Sequence, residues 1–297
     1  MKRLSLVAAA LLLVAAAFWW LTAHNGSPEG TYTIDLAALR RLAQERPGER
    51  PSEVRAQHVA TLDFPERAVL AGASWRSVPL AVYAFQVRYA DGGSGLIDTG
   101  MDEATAKSEG ASFFDADAFG RVSAAMDLAR FIVVTHEHYD HLGGAAVHPR
   151  LAELPLTLTP QQLAVPGNLA PLTFPEAARA KLPKLEYQQG AAIAPGVAVW
   201  RAAGHTVGSQ LVFVQRADGE EYLFLGDVAW YRENYLQVRE RARLATLIMG
   251  EDRGQVLAQL AAVKALAEAN PKLHVVPGHD PQVYAEAFAA GWLVDRF

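Results

Sequence analysis

The chain has 297 residues, with 27 Lys+Arg against 32 Asp+Glu and no cysteine. At 51% apolar and 20% charged it has the composition of a globular protein able to bury a core, and a net charge of -5 lacks the basic footprint on which nucleic-acid binding rests. The missing thiols exclude disulfides, thiolate metal ligands and a cysteine nucleophile together, so any metal site must be built from the nine histidines and the carboxylates.

Met1-Lys2-Arg3 is positive and runs into an apolar stretch, residues 4–21, broken only by Ser5. The stretch is longer than the ~7–15 residues of a signal-peptide core and shorter than the ~20 of a full span. Ala15-Ala16-Ala17 offers a small-residue cleavage site, but Phe18, Trp19 and Trp20 follow it directly and suit a membrane interface. Residues 1–23 are therefore expected to be an uncleaved N-terminal anchor, a cleaved secretory signal being the alternative. Residues 24–30 read as a linker and 31–297 as one domain. Either reading exports the domain, because Lys2 and Arg3 stay on the cytoplasmic side. The expected location is the periplasm, held at the inner membrane, where a chain without thiols has none to mis-oxidise.

Beyond the linker, short apolar strands alternate with helical patterns. Residues 34–44 have helical spacing, ended by an Arg/Pro/Glu-rich stretch over 45–53. Residues 78–87 and 95–97 read as strands joined by a turn at Ala90-Asp91-Gly92-Gly93. The continuous apolar run at 131–134 has the pattern of a strand buried on both faces. Residues 197–200 and 211–214 repeat it, and 222–225 pairs with the latter across Ala217-Asp218-Gly219. Val256, Leu257, Leu260, Val263 and Leu266 recur at helical intervals until Asn270-Pro271, and 273–276 is a final strand. Interleaved strands and helices predict an α/β fold.

The chemistry follows immediately after these strands. The run at 131–134 leads into Thr135-His136-Glu137-His138-Tyr139-Asp140-His141. Three imidazoles and a carboxylate so close together are ligands for divalent metals, zinc above all. His136 and His138 are two apart and point the same way on extended backbone, whereas Asp140 and His141 lie past a turn and face a neighbouring position. That spacing predicts two metals side by side. His205, Asp227 and His279 each follow a strand as well, and Asp98 ends the strand at 95–97. Ser209 reads as a loop cap.

These motifs, in this order, resemble the metallo-β-lactamase superfamily. The resemblance implies a four-layer αββα sandwich with the site along one edge of its two sheets. It implies that His136, His138 and His205 hold one zinc and that Asp140, His141 and His279 hold the second, with Asp227 bridging and Asp98 supporting a ligand from behind. Iron or manganese are alternatives this ligand set accepts. The stretches Asp98-Thr99-Gly100-Met101, 203–209 and Pro277-Gly278-His279-Asp280 are most similar to the quorum-quenching lactonases. Those enzymes carry a Tyr three residues after the bridging Asp. Here that position is Trp230, and Tyr231, one residue late, is the candidate donor to the substrate carbonyl. The expectation is an exported dizinc hydrolase that cleaves a lactone, ester or thioester-like bond in a small molecule with a metal-bridged hydroxide, with Asp140 shuttling the proton. A β-lactamase of the cysteine-free type and a membrane-tethered, non-catalytic metal-binding domain are the alternatives.

Overall fold

The computed structural model describes residues 2–297, with the side chains of residues 2–5 and of 166 outside the description. The charge at Met1-Lys2-Arg3 and the first residues of the apolar stretch therefore lie outside the described side chains. Strands β1 (Glu53–Pro65), β2 (Ser77–Arg88), β3 (Ser94–Ile97), β4 (Phe113–Phe114), β5 (Ile132–Val133) and β11 (Val294–Asp295) form one sheet in the order β11-β1-β2-β3-β5, with β4 pairing β1. Strands β6 (Gly190–Ala194), β7 (Val197–Arg201), β8 (Gln210–Gln215), β9 (Glu221–Gly226) and β10 (Leu273–Pro277) form the second, in the order β10-β9-β8-β7-β6.

Alternation along the strands builds three of the four apolar clusters among the described residues at once, because successive side chains leave a strand on opposite faces. In β7, Val197 and Val199 face one core while Ala198 and Trp200 face another; β8 divides Val212 and Val214 from Leu211 and Phe213 in the same way. The shared inner core joins these valines to Val54, Phe85, Ile97 and Val133 of the first sheet. The outer face of the second sheet is covered by α2 (Leu36–Leu42), through Leu36 and Leu39, and by α11 (Arg253–Ala269), through Val256, Leu257, Leu260 and Val263. The outer face of the first is covered by α5 (Ala116–Leu128), through Val122 and Met126, and by α6 (Tyr139–Ala146), through Leu142 and Ala145. The layers are thus α, β, β, α, as expected.

The remaining helices are α1 (Lys2–Thr22), α3 (Glu66–Val69), α4 (Glu103–Ser108), α7 (Pro160–Ala164), α8 (Glu176–Arg179), α9 (Arg232–Gln237), α10 (Arg243–Met249) and α12 (Pro281–Ala290). Among the described residues no helix is long and apolar enough to cross a membrane. The described side chains of α1 begin at Leu6, and from there to Trp20 they are exposed. Thr22 is buried at its end, where it contributes the carbonyl that accepts from Gly72 N.

Candidate metal centre

Strand ends from both sheets deliver the site. His136 and His138 follow β5, Asp140 and His141 occupy the first turn of α6, His205 lies in the β7–β8 connection, and Asp227 and His279 follow β9 and β10. Gly226 allows the turn before Asp227: its φ is +50°, and a Cβ there would lie 2.6 Å from the Thr135 side chain.

The side chains fall into two groups around one carboxylate. His138 Nδ1 lies 2.9 Å from His136 Nε2 and 3.0 Å from His205 Nε2. Asp227 Oδ2 faces this group, 3.2 Å from His205 Nε2 and 3.7 Å from His136 Nε2. In the second group, His141 Nε2 and His279 Nε2 are 3.4 Å apart, and each is 3.5 Å from Asp140 Oδ2. Asp227 Oδ1 faces these, at 2.9 Å from His279 Nε2 and 3.2 Å from His141 Nε2. Donors around a tetrahedral ion with arms of 2.0–2.1 Å sit ~3.3 Å apart, so both sets have the spacing of ligand shells. The sharper observation is Asp227 Oδ1 itself. It is a buried carboxylate oxygen that accepts no hydrogen bond, a state that costs heavily unless a cation compensates it. The residues present fit two divalent ions that share Asp227.

The electrostatics differ between the histidines. Burial, reinforced by the neighbouring imidazoles, holds His136 well below the ordinary histidine value and brings His138 down to about 3, so both are neutral at physiological pH, the form able to ligate a metal. Burial opposes the charge on Asp227, but His279 and His141, which face its Oδ1, outweigh it and hold its pKa well below the carboxylate range. Burial also works to lower His141, against Asp140, Asp227 and Asp98, whose combined field raises it.

A supporting layer fixes the ring orientations. Asp98 accepts from Thr135 N at 2.6 Å and Thr135 Oγ1 at 2.9 Å, and its Oδ2 takes His141 Nδ1 at 2.8 Å. It therefore holds both a ligand imidazole and the loop backbone, and it does so at φ +57°, a strained conformation for a residue with a Cβ. His279 Nδ1 donates to the Ala81 carbonyl at 3.0 Å. His205 Nδ1 donates to Glu251 Oε2 at 2.9 Å, and Arg241 also binds that oxygen.

Sequence reasoning missed Glu251 and Arg241. They lie far from the histidine motif in the chain, and only the need of a buried ligand histidine for a partner on its second nitrogen points to them. It also passed over Glu137. As alternation requires, Glu137 points away from His136 and His138, and it accepts from Thr206 Oγ1 at 2.8 Å and Gly208 N at 3.3 Å, tying the His205 loop to the motif. Ser209 acts as the expected cap, its Oγ accepting from Thr206 N at 3.0 Å. Tyr231 behaves otherwise than expected. Its hydroxyl donates to the Pro79 carbonyl, and no contact among those described joins it to the ligand cluster. The neighbour Trp230 reaches the site instead, its Nε1 donating to Asp227 Oδ2 at 2.6 Å.

Glu251→Ala is expected to weaken metal affinity about 10–100-fold, the usual effect of losing such a partner, read by chelator competition. It also strands the buried Arg241 charge, which costs about 3–5 kcal/mol of stability. Adding Arg241→Leu recovers most of the melting temperature and none of the metal affinity. Parent-like affinity in Glu251→Ala would remove Glu251 from the support of His205.

The sequence profile of the metallo-beta-lactamase superfamily matches residues 78–279, which is most of the chain and contains all seven clustered side chains. The chain belongs to the metallo-β-lactamase superfamily. Among solved structures it is similar to a quorum-quenching N-acyl homoserine lactone lactonase, 17% identical over 80% of this chain and 95% of the other, with a TM-score of 0.64. It is equally similar to an N-acyl homoserine lactone hydrolase described with the product N-hexanoyl-L-homoserine at its catalytic metal centre (18% identity, 80% and 96% covered, TM-score 0.64). A dizinc quorum-quenching lactonase follows (13% identity, 78% and 89% covered, TM-score 0.51). At these identities the likeness is one of fold. No curated protein matches the chain. Superfamily, hydrolase fold neighbours and His/Asp cluster together are consistent with a zinc-dependent hydrolase.

Proposed function

We propose that the protein is a dizinc hydrolase that opens a lactone, ester or thioester bond in a small molecule. The observation that carries this reading is the buried Asp227 carboxylate, with one oxygen turned to each of two histidine groups. A pair of divalent ions held there supplies Lewis acidity toward a carbonyl and brings the pKa of water to ~7. The chain's own residues do the rest. Asp98, Glu251 and the Ala81 carbonyl keep the imidazole lone pairs aimed inward. Trp230 covers Asp227 with an indole that is itself buried, excluding water from that side. Asp140 is the group able to hold and pass on a proton: its side chain is 10% exposed and makes none of the hydrogen bonds described above. Tyr231, held by Pro79, stands outside this proton path.

We further propose that residues 1–23 direct export and hold the domain at the membrane. Support comes from the Lys2-Arg3 charge ahead of the apolar stretch and the tryptophans at its end.

The test is a panel on the zinc-loaded full-length chain, with an acyl-homoserine lactone, a thioester and a chromogenic cephalosporin. Turnover of the lactone or thioester, abolished by chelation and restored by zinc, is the expected result. Cephalosporin turnover alone would replace this reading with a β-lactamase, and no turnover of any ester-like substrate would favour a binding domain.

A further inference from the structure

Isolated exposed apolar side chains are ordinary, whereas a contiguous set with a charged rim marks an interaction surface. Helix α10 turns Thr246 and Met249 inward and leaves Leu244, Leu247 and Ile248 exposed, Ile248 by 78%. Trp75, 57% exposed, belongs to the same surface: with Leu244 and Ile248 it lines an apolar cavity of about 270 Å³. Trp230 also lines that cavity and donates to Asp227, so the cavity abuts the metal centre.

Helix α1 packs against α10. Phe18 stacks on Trp75 with ring centroids 5.9 Å apart, and the Arg243 guanidinium lies 3.8 Å over the Trp20 ring. Cations edge this surface. Arg67 sits 4.8 Å over Trp75, Arg76 pairs with Glu66 while its side chain stays 71% exposed, and Arg243 keeps a buried Nε with no hydrogen-bond partner.

A helix that is apolar all round and exposed along its length needs a non-aqueous surrounding. A second copy seated on α10 would still leave α1 in water from Leu6 to Phe18, whereas a bilayer covers both at once. Tryptophans at the junction and arginines at the edge are the residues a headgroup layer accepts. We propose that the exposed face of α10, with Trp75, sits in the headgroup–acyl boundary of the bilayer that takes up α1, and that Arg67, Arg76 and Arg243 meet lipid phosphates. The cavity beside the metal centre then opens toward lipid. The proposal rests on the reading of residues 1–23 as a membrane anchor.

The absence of cysteine makes the test direct. Single substitutions Leu247→Cys and Ile248→Cys, and Leu128→Cys as a control, are labelled with a nitrobenzoxadiazole fluorophore in the full-length chain. Leu128 is 78% exposed at the end of α5, ahead of the strand that leads into the site. The proteins are reconstituted in vesicles of phosphatidylethanolamine and phosphatidylglycerol. Labels at 247 and 248 are expected to shift to the blue and to be quenched by spin-labelled lipid, while the label at 128 keeps its emission in water. If the chain floats with vesicles but labels at 247 and 248 match the control, α10 does not dock and the anchor reading survives. Failure to float overturns both. A shift at 247 and 248 that spin-labelled lipid does not quench, accompanied by self-quenching between labelled copies, would assign the face to a second copy instead.

Discussion

Asp227→Asn is expected to lower affinity for both ions by roughly two to four orders of magnitude, with turnover falling alongside. The substitution keeps the size of the side chain and an oxygen for the Trp230 indole, but it removes the charge and one of two acceptor oxygens. Oδ2 faces the His136, His138 and His205 group and Oδ1 faces His141 and His279, so a single change reaches both groups. Removing one partner from a buried charge cluster costs about 3–5 kcal/mol, and every ~1.4 kcal/mol is tenfold in affinity. Zinc content after dialysis and turnover at fixed free zinc provide the two readings. Melting of the metal-free variant close to the metal-free parent separates loss of metal from loss of fold. A variant that retains both ions with parent affinity would show that Asp227 does not bridge.

Gly144→Ala is expected to be the most damaging single-methyl change near the site. A Cβ at Gly144 would lie 2.2 Å from the Thr99 carbonyl oxygen. That oxygen is backbone, and the segment carrying it is pinned: Gly144 N donates to Gly100 O at 2.8 Å and Thr99 N to His141 O at 2.7 Å. Overpacking a core typically costs ~1–3 kcal/mol, and with no side chain able to rotate away the cost here falls at or above the top of that range. For a chain of this size that is a drop in melting temperature of roughly 6–12 °C, with weakened metal binding because α6 carries Asp140 and His141. Gly120→Ala is the control. Gly120 lies inside α5 with nothing near its added methyl, so the same substitution there stabilises by about 0.5–1 kcal/mol. Equal melting of the two variants would dismiss the close approach of α6 to the loop after β3.

Much of this was legible in the sequence because strands buried on both faces announce themselves as continuous apolar runs, and the ligands stand directly after them. Seven strands and α11 fall within a residue or two of their expected ends. The longest strand, β1, was not read at all. It pairs with β2 along its whole length, and Val54, Ala56, Ala60, Leu62 and Phe64 keep a period of two, but His58 and Val59 interrupt that pattern where the register shifts between His58 and Ala60. Helix α10 was missed for a different reason: at seven residues it shows no more than one repeat of the helical spacing, through Leu244, Leu247 and Ile248. The clustered histidines and aspartates were visible because their chemistry is concentrated in one short motif and three strand ends. The Glu251–Arg241 pair that braces His205 was not visible, since only tertiary packing brings it there. Tyr231 shows the limit of reading by position alone. A shift of one residue along the chain puts the indole of Trp230 on Asp227 and turns the Tyr231 hydroxyl to Pro79.

The central claim is that one carboxylate joins two metal sites, and the number of zinc ions bound per chain tests it most directly. Equilibrium dialysis of the metal-stripped, full-length protein against buffered zinc is expected to saturate at two ions per chain. Saturation at one ion, or none, would contradict it.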